Sequence, residues 1–204
     1  NMLFRNENGR FLNISKDAGV TQPQFSFPCW FWDVNNDGYE DIFVSSYDTR
    51  KLKDLAEDYA KEIQGKPVDS DKSVLYINNG KGQFSEMSID YQLDKAMYAM
   101  GANFGDLDND GWLDFYIGTG APDFSTVIPN RMFRNREGKS FEEVTSAGGF
   151  GHIQKGHGIG FADFDNDGDQ DIYAVMGGAF EGDEFTNVYF ENPISQNNWV
   201  VLHL

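Results

Sequence analysis

The sequence predicts an all-β fold, a segment of β-propeller with about three and a half four-stranded blades, and three observations predict it. A hairpin signature recurs: Leu3-Phe4-Arg5-Asn6 with an Asn8-Gly9 turn, then Val74 to Phe84, then Met132 to Phe141, and its first half again at Val188-Tyr189-Phe190-Glu191-Asn192. Asparagine-glycine turns between apolar runs are strong short-range hairpin signals. The repeat has a fixed period, since Asn78, Asn135 and Asn192 lie 57 residues apart, as do Asp106 and Asp163. Between hairpins comes an aspartate-rich loop followed by a short apolar run, such as Ile42-Phe43-Val44 or Phe115-Tyr116-Ile117, of the kind a doubly buried strand presents. Four-strand units at this period stack as blades, each covering its neighbour's apolar face.

Taken in order, residues 2–15 supply the outer half of a preceding blade, and full blades are expected at about 25–89, 97–145 and 157–204. Each opens with an inner strand: Phe25 to Trp32, Tyr98 to Gly105 and His157 to Ala162. The small residues Gly101, Ala102 and Gly105, and Gly158, Gly160 and Ala162, suit a crowded innermost place. The first repeat is longer than the others by an insertion in which Leu52, Leu55, Ala56, Tyr59, Ala60 and Ile63 follow helical spacing. That spacing predicts a helix near 49–63, capped by Asp48 or Thr49 and stopped by Gly65 and Pro67, with its apolar face on the sheet. Three and a half blades do not close a ring, so an open arc or further sequence is expected.

The loops carry the chemistry. Asp33, Asn35, Asp37 and Asp41 hold positions 1, 3, 5 and 9 of the first; Asp106, Asp108, Asp110 and Asp114 of the second; Asp163, Asp165, Asp167 and Asp171 of the third. Position 6 is glycine in all three: Gly38, Gly111 and Gly168. Alternating oxygens on a tight turn suit Ca²⁺, which takes six to eight oxygen ligands, with the position 7 carbonyl of Tyr39, Trp112 or Asp169 adding one. An EF-hand would need a Glu at position 12, where Val44, Ile117 and Ala174 stand instead. Up to three Ca²⁺ ions are expected, with loops two and three stronger than loop one because they offer four carboxylates against three. Their expected role is to hold each turn and the register of its two strands.

The formal net charge of −17 argues against nucleic acid and anionic lipid as partners. Cys29, beside Trp30 and Phe31, reads as a small buried apolar residue. No apolar run is long enough to span a bilayer. His152 and His157 read as loop residues, and the aspartates are committed to metal spacing rather than to acid–base pairs.

These residues resemble the FG-GAP or VCBS-type repeats of integrin-like propellers. Phe104-Gly105 before loop two and Gly120-Ala121-Pro122 after its second strand spell the motif, whereas copies one and three have Phe31-Trp32 and Phe161-Ala162 there. The flavour is similar to secreted bacterial proteins with an ASPIC/UnbV segment and to the cartilage acidic protein group, because Asn198-Trp199-Val200-Val201-Leu202 resembles the entry to that segment. The resemblance implies a calcium-stabilised extracellular, cell-surface or periplasmic module that binds a protein or glycan on a propeller face, without catalysis. The other reading it leaves open is the propeller part of a secreted carbohydrate-active enzyme such as a polysaccharide lyase.

Overall fold

The computed structural model describes residues 1–51, 55–121, 123–178, 181–182 and 184–193. It is mostly β. A hairpin of β1 (Phe4–Glu7) and β2 (Arg10–Asn13) comes first, followed by a single helical turn, α1 (Ser15–Ala18). Blade one has β3 (Ser26–Trp32), β4 (Asp41–Ser46), β5 (Val74–Asn78) and β6 (Phe84–Glu86), paired antiparallel in that order. Blade two repeats this with β7 (Ala99–Gly105), β8 (Asp114–Thr119), β9 (Arg131–Asn135) and β10 (Phe141–Glu143). Blade three contributes β11 (Gly156–Ala162), β12 (Asp171–Met176) and β13 (Val188–Phe190); its expected fourth strand lies outside the described residues. The register repeats too, because Ile42 faces Tyr76, Phe115 faces Phe133 and Ile172 faces Phe190.

The blades bury their faces against one another. Trp32, Val34, Phe43 and Leu75 of blade one meet Ala99, Phe115, Ile117, Phe133 and Phe141 of blade two. Trp32 stacks on Phe141 at 5.7 Å, and Phe43, Phe115 and Phe133 extend the aromatic part of the joint. Tyr116 and Met132 meet Ile172, Ala174 and Met176 at the second joint, and Ala18 and Val20 cover Ile42, Val44, Val74 and Tyr76 at the hairpin end.

Inner strands approach closely where a neighbour is present. A Cβ on Gly101 would fall 1.5 Å from the His157 carbonyl oxygen, and one on Gly105 would fall 2.2 Å from Gln170 Oε1. On β11 a Cβ on Gly156 would fall 2.6 Å from Gly118 Cα, whereas one on Gly158 meets only Val175 at 3.7 Å and one on Gly160 meets nothing within 4 Å, so the crowding expected at Gly158 and Gly160 is not found among the described residues. Among the described residues, apolar side chains are left exposed on blades one and three. Phe27 and Phe31 on β3 are 62% and 52% exposed, and Phe164 and Tyr189 on blade three are 51% and 43% exposed. Cys29 corrects the sequence reading: it is exposed, since it shares the uncovered face of β3 with Phe27 and Phe31, while Trp30 and Trp32 on the alternate face meet blade two.

The insertion forms α2 (Leu55–Ile63); the expected start at 49–51 is turn and bend rather than helix, and 52–54 lie outside the described residues. Gly65, with φ of 66°, ends it, and Lys66 N donates to Lys61 O at 2.9 Å. The predicted apolar face is only half right. Leu55 packs with Ala96, Tyr98 and Ile128, but Ala60 is exposed and Ile63 is 70% exposed. Acids turn inward instead. Asp58 accepts from Ser70 N at 2.9 Å, and Glu62 accepts from Arg131 Nη2 at 2.5 Å.

Arg131 is wholly buried and also forks onto Glu143, at 3.0 and 2.6 Å, with its guanidinium 5.2 Å from the Tyr59 ring. This cation fastens a blade-one insertion to blade two. We predict that Arg131→Ala costs about 3 kcal/mol, because removing one member of a buried network strands its partners. Urea unfolding should show a lower midpoint with an unchanged slope, and substituting Glu62 and Glu143 by Gln in the same chain should recover part of the loss.

Candidate metal centre

Each loop leaves an inner strand and re-enters the sheet at the ninth-position aspartate, so its two ends are fixed by β-pairing. Between them the chain turns through two left-handed residues. Position 4 is Asn36, Asn109 or Asn166, with φ of 53°, 53° and 64°, and position 6 is glycine, with φ of 86°, 90° and 97°. Asparagine and glycine tolerate that region best.

The turn pins its own carboxylates. Asp33 accepts from Asp37 N at 3.0 Å and from Gly38 N at 2.8 Å; Asp106 and Asp163 repeat both bonds at 2.9 to 3.1 Å. The position 5 carboxylates of Asp37, Asp110 and Asp167 each accept the N–H of position 7, from Tyr39, Trp112 and Asp169. In loop one the Asn35 amide also donates to Asp37 Oδ2 at 3.0 Å. Side-chain oxygens of Asp106, Asp108 and Asp114 lie within 4.8 Å of one another, and so do those of Asp163, Asp165 and Asp167. These two acidic clusters could hold a metal ion.

The ninth-position aspartates are the most buried members. Asp41, Asp114 and Asp171 accept two backbone N–H groups each: from position 2 of their own loop (Val34, Leu107, Phe164) at 3.0 to 3.1 Å, and from the repeat asparagine (Asn78, Asn135, Asn192) at 2.8 Å. The repeat asparagines matter more than their spacing disclosed. Their amides donate to the position 8 carbonyls of Glu40, Leu113 and Gln170 at 2.9 to 3.2 Å. Asn78 and Asn135 also accept the N–H of Gly80 and Gly138, closing the hairpin turn. Those glycines are required by position 7, because a Cβ on Gly80 would lie 2.7 Å from Tyr39 and one on Gly138 2.6 Å from Trp112. An asparagine 21 residues after Asp114 and Asp171, and 37 after Asp41 because of the insertion, was the available signal.

Arginine enters loop two. The Arg134 guanidinium is paired with Asp108 and lies 3.5 Å from Asp110 Oδ2, so the charge count of loop two is lower than its own residues suggest. In loop three the opposite holds, because Asp169 is 1% exposed with neither carboxylate oxygen hydrogen-bonded. Burial lifts Asp114 to about 8, with Asp108 adding repulsion, and burial lifts Asp41 to about 6. Asp106 and Asp108 are raised for the same first reason. An all-oxygen donor set pinned by N–H groups, crowded and partly shut from water, fits a hard cation.

A family model described as FG-GAP-like repeat matches residues 65–117 and 118–174. The chain belongs to this family. Each matched FG-GAP-like stretch runs from the outer half of one blade through the loop of the next, so loops two and three both lie within the match. No curated protein matches the chain. The residues that suggested an ASPIC/UnbV affinity, Asn198 to Leu202, lie outside both the match and the described residues.

The raised carboxyls predict how the metal-free protein responds to pH. A folded pKa above the unfolded value of 3.8 means that the folded state holds the proton more tightly. This contribution is full below about pH 4 and is lost as pH rises through about 6 for Asp41 and about 8 for Asp114. In chelator the melting temperature should therefore fall across that window. Saturating Ca²⁺ should abolish or reverse the fall, since the cation takes the ionised form; a pH series of thermal melts checks both.

Proposed function

We propose that this FG-GAP-like chain is a calcium-stabilised, non-catalytic binding module that works outside the cell, presenting a propeller face to a protein or glycan. The observation that carries the reading is the threefold recurrence of one pinned carboxylate turn on the same end of successive blades. Asp33, Asn35, Asp37 and Asp41 with the Tyr39 carbonyl would hold the first ion. Asp106, Asp108, Asp110 and Asp114 with the Trp112 carbonyl would hold the second, and Asp163, Asp165, Asp167 and Asp171 with the Asp169 carbonyl the third.

Bound Ca²⁺ supplies charge neutralisation and a fixed turn; the chain's own residues do the rest, the ninth aspartates stapling the strands and the repeat asparagines closing each blade. The blades then run at about 25–89, 97–145 and 157–204. Extracellular free calcium is high enough to fill sites of modest affinity, which favours a location outside the cytoplasm. No helix among the described residues is long and apolar enough to cross a membrane.

Thermal melts with chelator, Ca²⁺ and Mg²⁺ test the proposal. Each site saturated at a hundredfold excess over Kd adds about 2.7 kcal/mol, and at this chain length roughly 2–4 °C accompanies each kcal/mol. Calcium should raise the melting temperature accordingly, while Mg²⁺, which demands a smaller octahedral shell, should restore little of it. Equal melts in chelator and calcium would refute calcium as the stabilising ion.

A further inference from the structure

Arg134 sits on β9 one residue before Asn135, and its guanidinium pairs with Asp108 Oδ2 and lies 3.5 Å from Asp110 Oδ2, on the third- and fifth-position groups of loop two. Blade one has Ile77 and blade three has Glu191 at the same register place, one residue beyond the pairs Ile42 with Tyr76 and Ile172 with Phe190. One strand position thus carries no charge, a positive charge and a negative charge across three otherwise matching loops.

From this we infer that Arg134 is an internal stand-in for the cation, so that loop two keeps its shape without calcium and fills after loop three. The inference rests on the calcium reading above. An entering ion shares the Asp108 and Asp110 carboxylates with a guanidinium already paired to them, and the arginine, being always charged, repels it from close by. Counting carboxylates alone would place loop two level with loop three. Loop three has no such competitor, since Asp165, Asp167 and Asp169 make no ion pair among the described residues. Its carboxylates repel one another until a cation arrives.

The geometry also supplies a reporter. Trp112 is the position 7 residue of loop two, whereas loops one and three have Tyr39 and Asp169 there. Terbium bound in loop two is within energy-transfer range of that indole, but the ring also lies beside Asn35 of loop one, and Trp32 directly precedes Asp33. Parent and variants are therefore compared in an Asp33→Asn, Asp37→Asn background that disables loop one, where luminescence excited at the red edge of tryptophan absorption reads loop two and calcium competition gives its affinity.

The experiment compares the parent with Arg134→Gln and Arg134→Lys. Arg134→Gln is expected to tighten loop two by roughly tenfold, while Arg134→Lys, which keeps the charge, stays within about threefold of the parent. Melts provide a second readout: Arg134→Gln should melt below the parent in chelator, because Asp108 and Asp110 lose their counter-charge, and above it in saturating calcium. Unchanged or weaker loop-two affinity in Arg134→Gln, in a parent that binds calcium calorimetrically, overturns the role of Arg134 alone. A parent that binds neither terbium nor calcium at any loop overturns the calcium reading, and this inference with it.

Discussion

One buried carboxylate per blade organises the rest of the molecule. Asp41, Asp114 and Asp171 stand where the loop becomes the second strand, and each takes one N–H from the loop and one from the end of the third strand. A charge so placed is costly to bury unless its hydrogen bonds are filled, and the backbone fills them. The same two bonds fix where the loop sits over the sheet. Oxygens at positions 1, 3 and 5 of loop three, and at positions 1, 3 and 9 of loop two, are then left within 4.8 Å of one another, where like charges repel unless a cation intervenes.

The loops are also linked to one another. Asn36 donates to the Gly111 carbonyl at 2.9 Å and Asn109 to the Gly168 carbonyl at 3.2 Å, so position 4 of one loop grips position 6 of the next. The repeat asparagines add a return link, Asn135 to the Val34 carbonyl at 3.0 Å and Asn192 to the Leu107 carbonyl at 2.5 Å. Beneath these polar links lie the aromatic and aliphatic joints between sheets. Each blade is thus held to its neighbour twice, by packing over its face and by amides along its loop edge.

The insertion shows how a departure from the repeat is absorbed. Its helix brings Glu62 to Arg131 and Asp58 to Ser70, adding polar anchors to the apolar contact that Leu55, Ala56 and Tyr59 make. Polar anchoring of this kind fixes orientation where greasy packing alone would permit sliding, and it spans two blades.

The sequence by itself determined the strands, the period and the loops, because alternation, asparagine-glycine turns and evenly spaced aspartates are local features that neighbours along the chain enforce. It also placed Gly111 and its counterparts correctly, since a left-handed turn admits few residues. What tertiary structure alone decided was which face meets a neighbour. Cys29 shares the uncovered face of β3, and Ile63 lies outside because Asp58 and Glu62 found partners on segments 12 and 69 residues away. Arg134 changed the electrostatics of loop two from a strand 20 residues beyond Asp114. Charge and burial are set by whatever the fold brings alongside, and no periodicity in the chain encodes that distance.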